Sequence, residues 1–518
     1  MNQRILALVL TIGCVSISPI GAGSIYEAGP AKIHNQIDEF VFPRLDTLGI
    51  TRADLCSDAV FVRRACLDII GTLPTGFEAQ EFLIDKKPGK RSDLIKRLLA
   101  REEFADYWSM KWSDLLRVKS EFPINLWPNA VQGYHRWIRD SILNNKPYDQ
   151  FVRELLTSSG SNFRVAPVNF YRAMQNHEPA GIAQTVALTL MGERAEKWPD
   201  DKLNGMALFF AWMGNKSTSE WKEEIIFFDS ARTTNAPVTA TFPDGTKVTL
   251  KGDRDPREIF CEWLVRPENR WFTRNIANRV WCWLLGRGII HEPDDIRPDN
   301  KPSNPALLSF LEQELIASKY DLKQLYSLIL NSATYQLSAV PKDSTPEAAA
   351  NFAYYPLRRL EAEVIIDALN QITGGTEKYS SPIPEPFTFI PEDQRSIALS
   401  DGSISSPFLE MFGRPSRDSG LESERNTRPT AAQRLHFLNS SQVQRKIEQS
   451  RMIQFQTQPG KTRPQATSGI YLGILSRFPT EQELKTLESY APGKGLKREE
   501  AVDLAWALLN SAEFLYRH

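Results

Sequence analysis

The chain has 518 residues, of which 42% are hydrophobic and 10% aromatic, enough for a large core. A chain of this length predicts about two to four structural units rather than one core. Its 62 basic and 63 acidic residues nearly cancel, to a net charge of −1. Such a balance gives no argument for nucleic acid or an anionic membrane as a partner, and we expect no nucleic-acid partner.

The N-terminal segment predicts export. Arg4 gives a short basic start, residues 5–12 are apolar, and residues 21–23 are small enough for cleavage. We therefore expect a signal peptide over residues 1–23 and a periplasmic or secreted protein. Lipidation at Cys14 is the less favoured alternative, because the residues before it fit a lipoprotein pattern poorly. No other stretch is long and apolar enough to span a bilayer, so no transmembrane span is expected.

Residues 24–215 predict an N-terminal helical domain. Apolar residues recur at helical spacing in segments such as 61–70, 104–117 and 180–191. Thr75 lies three residues before Glu78, which is the spacing of a capping box at the start of a helix.

Residues 216–254 predict a linker that holds a β-hairpin. Residues 238–250 alternate between apolar and polar types on both sides of Asp244-Gly245, a dipeptide typical of hairpin turns. This is the one strong strand signal in the sequence.

Residues 255–518 predict a C-terminal helical domain. Its densest pattern is a helix over 269–285, a polar loop over 291–300 and a helix that begins at the capping residue Asn304. A further helix is predicted over 358–372, and residues 380–406 predict a long loop. The expected fold is mainly α, with two packed helical domains and a small β-hairpin insert.

Several segments, in order along the chain, resemble the paired PSCyt-two and PSD-one domains of unknown function found in planctomycete-type proteins. The first domain's pattern resembles the segments 61–74, 108–116 and 169–172. The second domain's pattern resembles the segments 278–281, 285–288, 294–295, 302–305, 320–323, 334–338, 358–363, 412–415 and 438–440. The resemblance covers nearly all of the chain after residue 23, but it implies no established function.

The chain departs from that pattern in its cysteines. Many relatives carry a CxxCH haem-attachment motif just after the position of Gly192, where this chain has neither cysteine nor histidine. Relatives also carry cysteines near the positions of Leu421 and Ser423. We therefore expect no covalent haem and no cofactor, and electron transfer is disfavoured.

Three groups of polar residues are candidate sites. The acidic loop can supply oxygen ligands to a divalent cation, although its spacing fits no standard metal motif and a solvated loop is favoured. Its candidates are His291, Asp294, Asp295 and Asp299, with Glu292 between them. A second group can bind an anion through paired guanidinium groups, although internal salt bridges are favoured. It comprises Arg63, Arg64, Asp68, Arg279 and Arg287.

The third group is the densest polar cluster of the C-terminal part. Carboxylates beside arginines can perform acid–base chemistry on a glycan, although a structural network of ion pairs is the favoured interpretation. The candidates are Arg414, Arg417, Asp418, Glu422, Glu424 and Arg425.

Four cysteines follow the predicted signal peptide, and two interpretations stay open. In an exported protein they can form two disulfides, with Cys56–Cys66 and Cys261–Cys282 as the short-range pairings. Alternatively, all four are small buried hydrophobic residues.

The sequence favours an exported, non-enzymatic binding or assembly protein of the cell envelope that works without haem. Its partner would be an envelope protein or a glycan. The alternative is a hydrolase acting on an envelope or exogenous glycan, and it requires the 414–426 cluster and the 291–299 loop to meet in one pocket.

Overall fold

A computed structural model describes residues 25–233, 236–490 and 492–518, and these are mainly helical. The predicted signal peptide and Cys14 lie outside the described residues. The described part contains no helix with the length and apolar character needed to cross a bilayer.

The N-terminal half is built from short helices with polar caps. The predicted capping box at Thr75 and Glu78 is confirmed, and Asn35 begins the first helix in the same way. The helices are α1 Gln36–Thr47, α2 Asp58–Ile70, α3 Gly76–Ile84, α4 Lys90–Leu99, α5 Glu102–Leu115, α6 Pro128–Leu143, α7 Tyr148–Thr157, α8 Asn169–Arg172, α9 Pro179–Val186 and α10 Asp200–Ala207.

The C-terminal half continues the helical pattern. Asn269 and Asn304 cap their helices as expected. The helices are α11 Pro256–Leu264, α12 Arg270–Leu285, α13 Pro305–Ala317, α14 Leu322–Leu330, α15 Pro346–Ala350, α16 Ala362–Thr373, α17 Pro407–Met411, α18 Ala431–Asn439, α19 Ser441–Glu448, α20 Arg451–Gln456, α21 Arg463–Leu475, α22 Glu481–Tyr490, α23 Arg498–Leu509 and α24 Ala512–Leu515.

The strands are short and all pair antiparallel. The predicted hairpin is confirmed, with Thr241 opposite Lys247 across the turn. The strands are β1 Glu27–Gly29, β2 Leu55–Cys56, β3 Gly160–Ser161, β4 Met213–Ser217, β5 Glu224–Phe228, β6 Val238–Thr241, β7 Lys247–Leu250, β8 Arg358–Arg359 and β9 Tyr516–Arg517. They form the sheets β1-β2, β3-β5-β4, β6-β7 and β8-β9.

Two sequence predictions need correction. The linker region contains more than one hairpin, because β4 and β5 form a three-stranded sheet with β3 from the N-terminal half. The helix predicted from Arg358 begins only at Ala362, because Arg358 and Arg359 pair as a strand with the C-terminal residues Tyr516 and Arg517.

One continuous hydrophobic core runs through both halves. At their junction, the indole of Trp108 in α5 contacts that of Trp283 in α12, with ring centroids 5.3 Å apart. A backbone bridge between Leu55 in β2 and Leu337 also joins the two halves. The two predicted helical domains therefore pack as one body, over a shared apolar interior.

All four described cysteines are free thiols, and Cys56, Cys66 and Cys261 are buried. This structure contains neither of the two disulfide pairings. The alternative of small buried side chains fits Cys56, Cys66 and Cys261, while Cys282 is half-buried. Burial raises the pKa of Cys66 to about 12, so its thiol stays protonated.

Gly71 offers a test of the packing between α2 and α5. It ends α2 with a φ of 60°, and a Cβ there would lie 2.3 Å from Cδ2 of Tyr107. Gly49 has a φ of 69° with open space around its Cβ position. We predict that Gly49→Ala costs only the left-handed backbone strain, about 1–2 kcal/mol. Gly71→Ala adds an overpacking cost of about 1–3 kcal/mol.

Chemical unfolding of the two variants measures the difference. If both variants lose the same unfolding free energy, Tyr107 moves aside without cost. That result would contradict tight packing between α2 and α5.

Candidate functional site

The site is built on the C-terminal end of α12. Gly286 ends this helix with a φ of 72°, and a Cβ there would lie 2.4 Å from Cδ of Arg358. Glycine therefore lets Arg358 approach the helix end, where its guanidinium donates to the carbonyls of Trp283 at 2.9 Å and Leu284 at 2.8 Å. These carbonyls have no partner within the helix, so the cation satisfies them and complements the helix dipole.

The acidic loop is held against the same helix. The amide side chain of Asn278 exchanges two hydrogen bonds with the backbone of Ile290, at 2.8 and 2.9 Å. Beyond it, the buried carboxylate of Asp294 accepts from Arg279 Nη2 at 2.7 Å and from the backbone N–H of Glu422 at 2.6 Å. Asp294 thus ties the loop to α12 and to the polar cluster that follows Arg414.

The loop's carboxylates do not converge on a cation. Asp295 and Asp299 lie on either side of Arg297, each 3.1 Å from its guanidinium, while Asp294 points to Arg279. His291 lies 3.8 Å from Glu292. Within the described ranges, no group of His, Cys, Asp and Glu residues is arranged to hold a metal. Arginines occupy the carboxylates of Asp294, Asp295 and Asp299, so the described geometry lends the metal hypothesis no support, and it stays a prediction.

The 414–426 cluster is mainly a network of ion pairs. Arg425 bridges Asp114 of α5 and Glu363 of α16, at 2.7 Å to each carboxylate. Arg417 binds the same Asp114 at 3.0 Å. Arg414 donates to the backbone carbonyls of Ile404 and Asp401.

The acidic candidates of the cluster are also engaged. Asp418 accepts from Lys119 at 2.6 Å, and Glu424 accepts from the backbone N–H of Asp418 and Ser419. Glu422 accepts from the indole N–H of Trp283 at 2.9 Å and lies 3.6 Å from Arg279. The structural interpretation of this cluster therefore holds for most of its side chains.

Two buried carboxylates, Glu361 just before α16 and Glu363 within it, lie among several cations. Burial alone would raise the pKa of Glu361, but Arg517 at 2.6 Å and Lys111 at 2.7 Å hold it well below its ordinary value. Burial opposes ionisation of Glu363 in the same way, yet Arg425 and Arg414 lower its pKa to about 2. Both carboxylates are therefore ionised at neutral pH.

These groups surround a polar cavity of about 780 Å³, which we call the junction cavity. The N-terminal half contributes Lys111 to its wall, and α12 contributes Cys282 and Trp283. Its other lining residues are Gly286, His291, Glu292, Pro293, Arg358, Arg359, Glu361, Glu422, Ser423, Glu424, Arg425, Asn426, Thr427, Arg428 and Arg517. The 291–299 loop and the 414–426 cluster therefore do meet in one pocket.

The lining contains few groups suited to catalysis. Burial raises the pKa of the Cys282 thiol to about 12, so this cysteine is not a nucleophile at neutral pH. Burial and the nearby charge of Arg287 lower the pKa of His291 below its ordinary value, so its imidazole is neutral at pH 7. The charged side chains around these two residues are held in ion pairs, such as Glu361 with Lys111, and are therefore not free to transfer protons.

The predicted anion-binding arginines do not form one site. Arg63 donates to the carbonyls of Ile474 and Phe514, at 2.8 and 2.9 Å. Arg64 donates to the carbonyls of Tyr335, Leu337 and His518. Asp68 accepts from the hydroxyls of Tyr335 and Tyr355.

The remaining members of that group lie elsewhere. Arg279 is buried against Asp294, and Arg287 is half-buried near His291. These contacts favour internal use of the set, and its anion-binding role stays a prediction. The partners of Arg63 and Arg64 are backbone carbonyls, however, rather than the carboxylates that salt bridges would require.

Sequence reasoning missed several residues that shape the cavity. Asp114, Lys111 and Arg517 gave no local signal, because their partners lie more than one hundred and fifty residues away in the chain. Glu361 and Glu363 carried a usable signal: they are charged residues inside an apolar helical pattern, directly after Arg358-Arg359.

Comparison with known families agrees with this architecture. Residues 36–200 match the family model described as PSCyt2, a protein of unknown function (DUF1549). Residues 256–491 match the model described as PSD1, a protein of unknown function (DUF1553). The chain belongs to these paired families. No curated protein and no solved structure matches it.

Both family regions contribute to the junction cavity, the PSCyt2 region through Lys111 and the PSD1 region through most of the other lining residues. The PSCyt2 region provides Lys111 and Asp114, and the PSD1 region provides Glu361, Glu363 and Arg425. The ion pairs at the cavity therefore join the two family domains to each other.

The PSD1 residue Glu363 allows a direct test of this network. It is fully buried and paired with Arg425 and Arg414. We predict that Glu363→Gln lowers the free energy of unfolding at pH 7 by about 3–5 kcal/mol, because it leaves buried guanidinium groups uncompensated. The control is Glu488→Gln in α22, where the side chain is exposed and has no ion-pair partner among the described residues.

The pH dependence gives the sign of the effect. The pKa of Glu363 is depressed from 4.5 to about 2, so its contribution is complete above pH 4.5 and is lost as the pH falls toward about 2. The difference in unfolding free energy between wild type and Glu363→Gln should therefore become smaller only below pH 4.5. If the difference in unfolding free energy stays constant between pH 4.5 and about 2, Glu363 is not ionised as described.

Proposed function

We propose that this protein is an exported binding or assembly module of the cell envelope, which holds an envelope protein or a glycan in the junction cavity and uses no covalent haem. The observation that carries the proposal is the junction cavity itself, a polar space of about 780 Å³ that the PSD1 region lines for the most part and that Lys111 of the PSCyt2 region borders. Cavities of this size at domain boundaries are the usual place for a ligand.

The charge state of the cavity supports binding. Its buried charges, such as Glu361 with Lys111 and Arg517, are already compensated by each other. A ligand therefore meets a wall that does not need to rearrange, and preorganisation of this kind lowers the cost of binding.

Exposed groups at the rim supply the contacts. Ser423, Asn426 and Arg428 are exposed and line the cavity, and within the described residues the hydroxyl of Ser423 and the guanidinium of Arg428 have no hydrogen-bond partner. They offer donors and acceptors to a polar ligand. Hydroxyl-rich saccharides and polar peptide segments have the matching chemistry.

The hydrolase alternative has weaker support. Its geometric condition is met, since the loop and the cluster share the cavity. A glycoside hydrolase also requires one carboxylic acid that keeps its proton near neutral pH. Burial favours such a proton on Glu361, but Arg517 and Lys111 hold its pKa well below the ordinary value. A binding role is therefore the better account of this cavity.

A bulky substitution at the cavity mouth tests the proposal. Ser423→Trp fills the entrance from an exposed position, and Ser489→Trp places the same side chain on an exposed turn of α22 as a control. The immobilised proteins are incubated with envelope extract that has been separated into protein and glycan fractions. Wild type and Ser489→Trp should retain the same component, and Ser423→Trp should retain roughly tenfold less, a loss of about 1.4 kcal/mol.

Two outcomes would overturn the proposal. Equal retention by all three proteins would place the binding surface outside the cavity. Turnover of a polysaccharide or an ester by the purified protein would make it an enzyme. An absorption spectrum of the same preparation should lack a haem band, and a haem band that survives denaturation would contradict the haem-free assignment.

A further inference from the structure

A second cavity lies at the opposite end of α12. We call it the aromatic cleft, a space of about 880 Å³ lined by aromatic residues of the hairpin, α11 and α12 and by several cations. Trp271, near the start of α12, lines the cleft, and Trp283, near its end, lines the junction cavity. At 1.5 Å per helical residue the two indoles are about 18 Å apart along the helix axis, so the two sites are separate.

The aromatic wall of the cleft is held in place by carboxylates. The indole N–H of Trp271 donates to Glu193 at 2.5 Å, and that of Trp263 donates to Asp244 at 2.9 Å. Phe242 stacks on Trp263 with ring centroids 5.0 Å apart, and Trp263 lies 5.9 Å from Trp271. Trp271 is only half-buried, so the cleft contains a fixed and accessible aromatic surface.

The polar rim of the cleft carries unused positive charge. Arg266, Arg270 and Lys301 line it and are exposed, and none of the three has an ion-pair or side-chain hydrogen-bond partner in the described parts of the chain. Glu268 also lines the cleft and is exposed without such a partner there, so the cations outnumber the carboxylates among the unpaired groups. The other lining cations are occupied, for example Arg274 by Glu312 at 2.9 Å. The N-terminus of α12, with Arg270 in its first turn, adds a favourable dipole for an anion.

We propose that the aromatic cleft binds a segment of an anionic saccharide chain. The C–H groups on one face of a sugar ring carry partial positive charge and would pack on the negative π face of Trp271. Carboxylate or sulfate groups of the same chain would pair with Arg266, Arg270 and Lys301. Fixed indoles reduce the entropy lost on binding, because their N–H groups are already engaged.

A single-stranded nucleic acid also combines ring stacking with negative charge, but the chain as a whole argues against it. Nucleic-acid-binding domains are usually strongly basic. This chain has a net charge of −1 and an isoelectric point near 6.7. Its three free cations at one cleft suit a ligand of modest charge density better than a phosphate at every residue.

Affinity electrophoresis tests this inference with defined polymers. The purified chain is run in gels that contain polygalacturonate, neutral dextran or a single-stranded oligothymidylate. The expected result is retardation by polygalacturonate alone, which weakens as salt is added because the cations are exposed to screening.

Two variants and two controls locate the contact. Trp271→Ala should weaken retardation by polygalacturonate roughly tenfold. Because Trp271 also anchors to Glu193, thermal unfolding shows whether this variant is folded. The double variant Arg266→Ala with Arg270→Ala alters only exposed side chains and should weaken it roughly three- to tenfold. Lys485→Glu, at an exposed position in α22, and Ser423→Trp at the junction cavity should leave it unchanged.

Each other outcome overturns the inference. Equal retardation by neutral dextran would show that the cations do not contribute to binding. Stronger retardation by oligothymidylate would show that the cleft prefers a nucleic acid. No retardation by any polymer, or an unchanged response in the double arginine variant, would show that the cleft binds no anionic saccharide. Loss of retardation in Ser423→Trp would assign the polymer to the junction cavity instead.

Discussion

The ion pairs of Arg425 join the two domains across their shared hydrophobic core, because its guanidinium contacts a carboxylate of each. It lies 2.7 Å from Asp114 in the PSCyt2 region and 2.7 Å from Glu363 in the PSD1 region. Buried ion pairs gain little over well-packed apolar residues, but removing one member leaves a costly unpaired charge. The domains therefore separate only if several charges lose their partners together, which makes their relative position well defined.

The same constraint explains the shape of the junction cavity. Its walls carry charged groups that are paired with one another. The space between them therefore stays polar and does not collapse into an apolar core. Glu361, for example, is fixed by Lys111 from one domain and by Arg517 from the C-terminal strand. In the proposed function, structural and binding roles therefore fall on different residues: the buried charges hold the walls, and the ligand contacts are assigned to exposed rim residues such as Ser423 and Arg428.

Local signals in the sequence predicted the parts of the fold that depend on nearby residues. The hairpin turn at Asp244-Gly245 and the cap at Asn304 are confirmed because their hydrogen bonds close over a few residues. The sheet that includes Gly160–Ser161 was missed, since a two-residue strand has no periodicity and its partner lies some sixty residues away. In the site, the sequence analysis named the meeting of the 291–299 loop and the 414–426 cluster as a condition, and the structure fulfils it. The partners of Asp294 and Arg425, however, could be identified only from the three-dimensional contacts.

The segment after Gly192 contains neither cysteine nor histidine, and its packing can be compared with the sequence prediction for it. Resemblance places a haem-attachment motif of other members at this segment. Here a Cβ on Gly192 would lie 2.8 Å from the side chains of Asn275 and Ile296, and the next residue, Glu193, binds the indoles of both Trp198 and Trp271. In this chain, the segment is therefore packed against α12 and anchors the aromatic cleft. The carboxylate of Glu193 accepts hydrogen bonds from two indole N–H groups at once and so fixes the orientation of the aromatic wall, a role for which a thiol is too weak an acceptor.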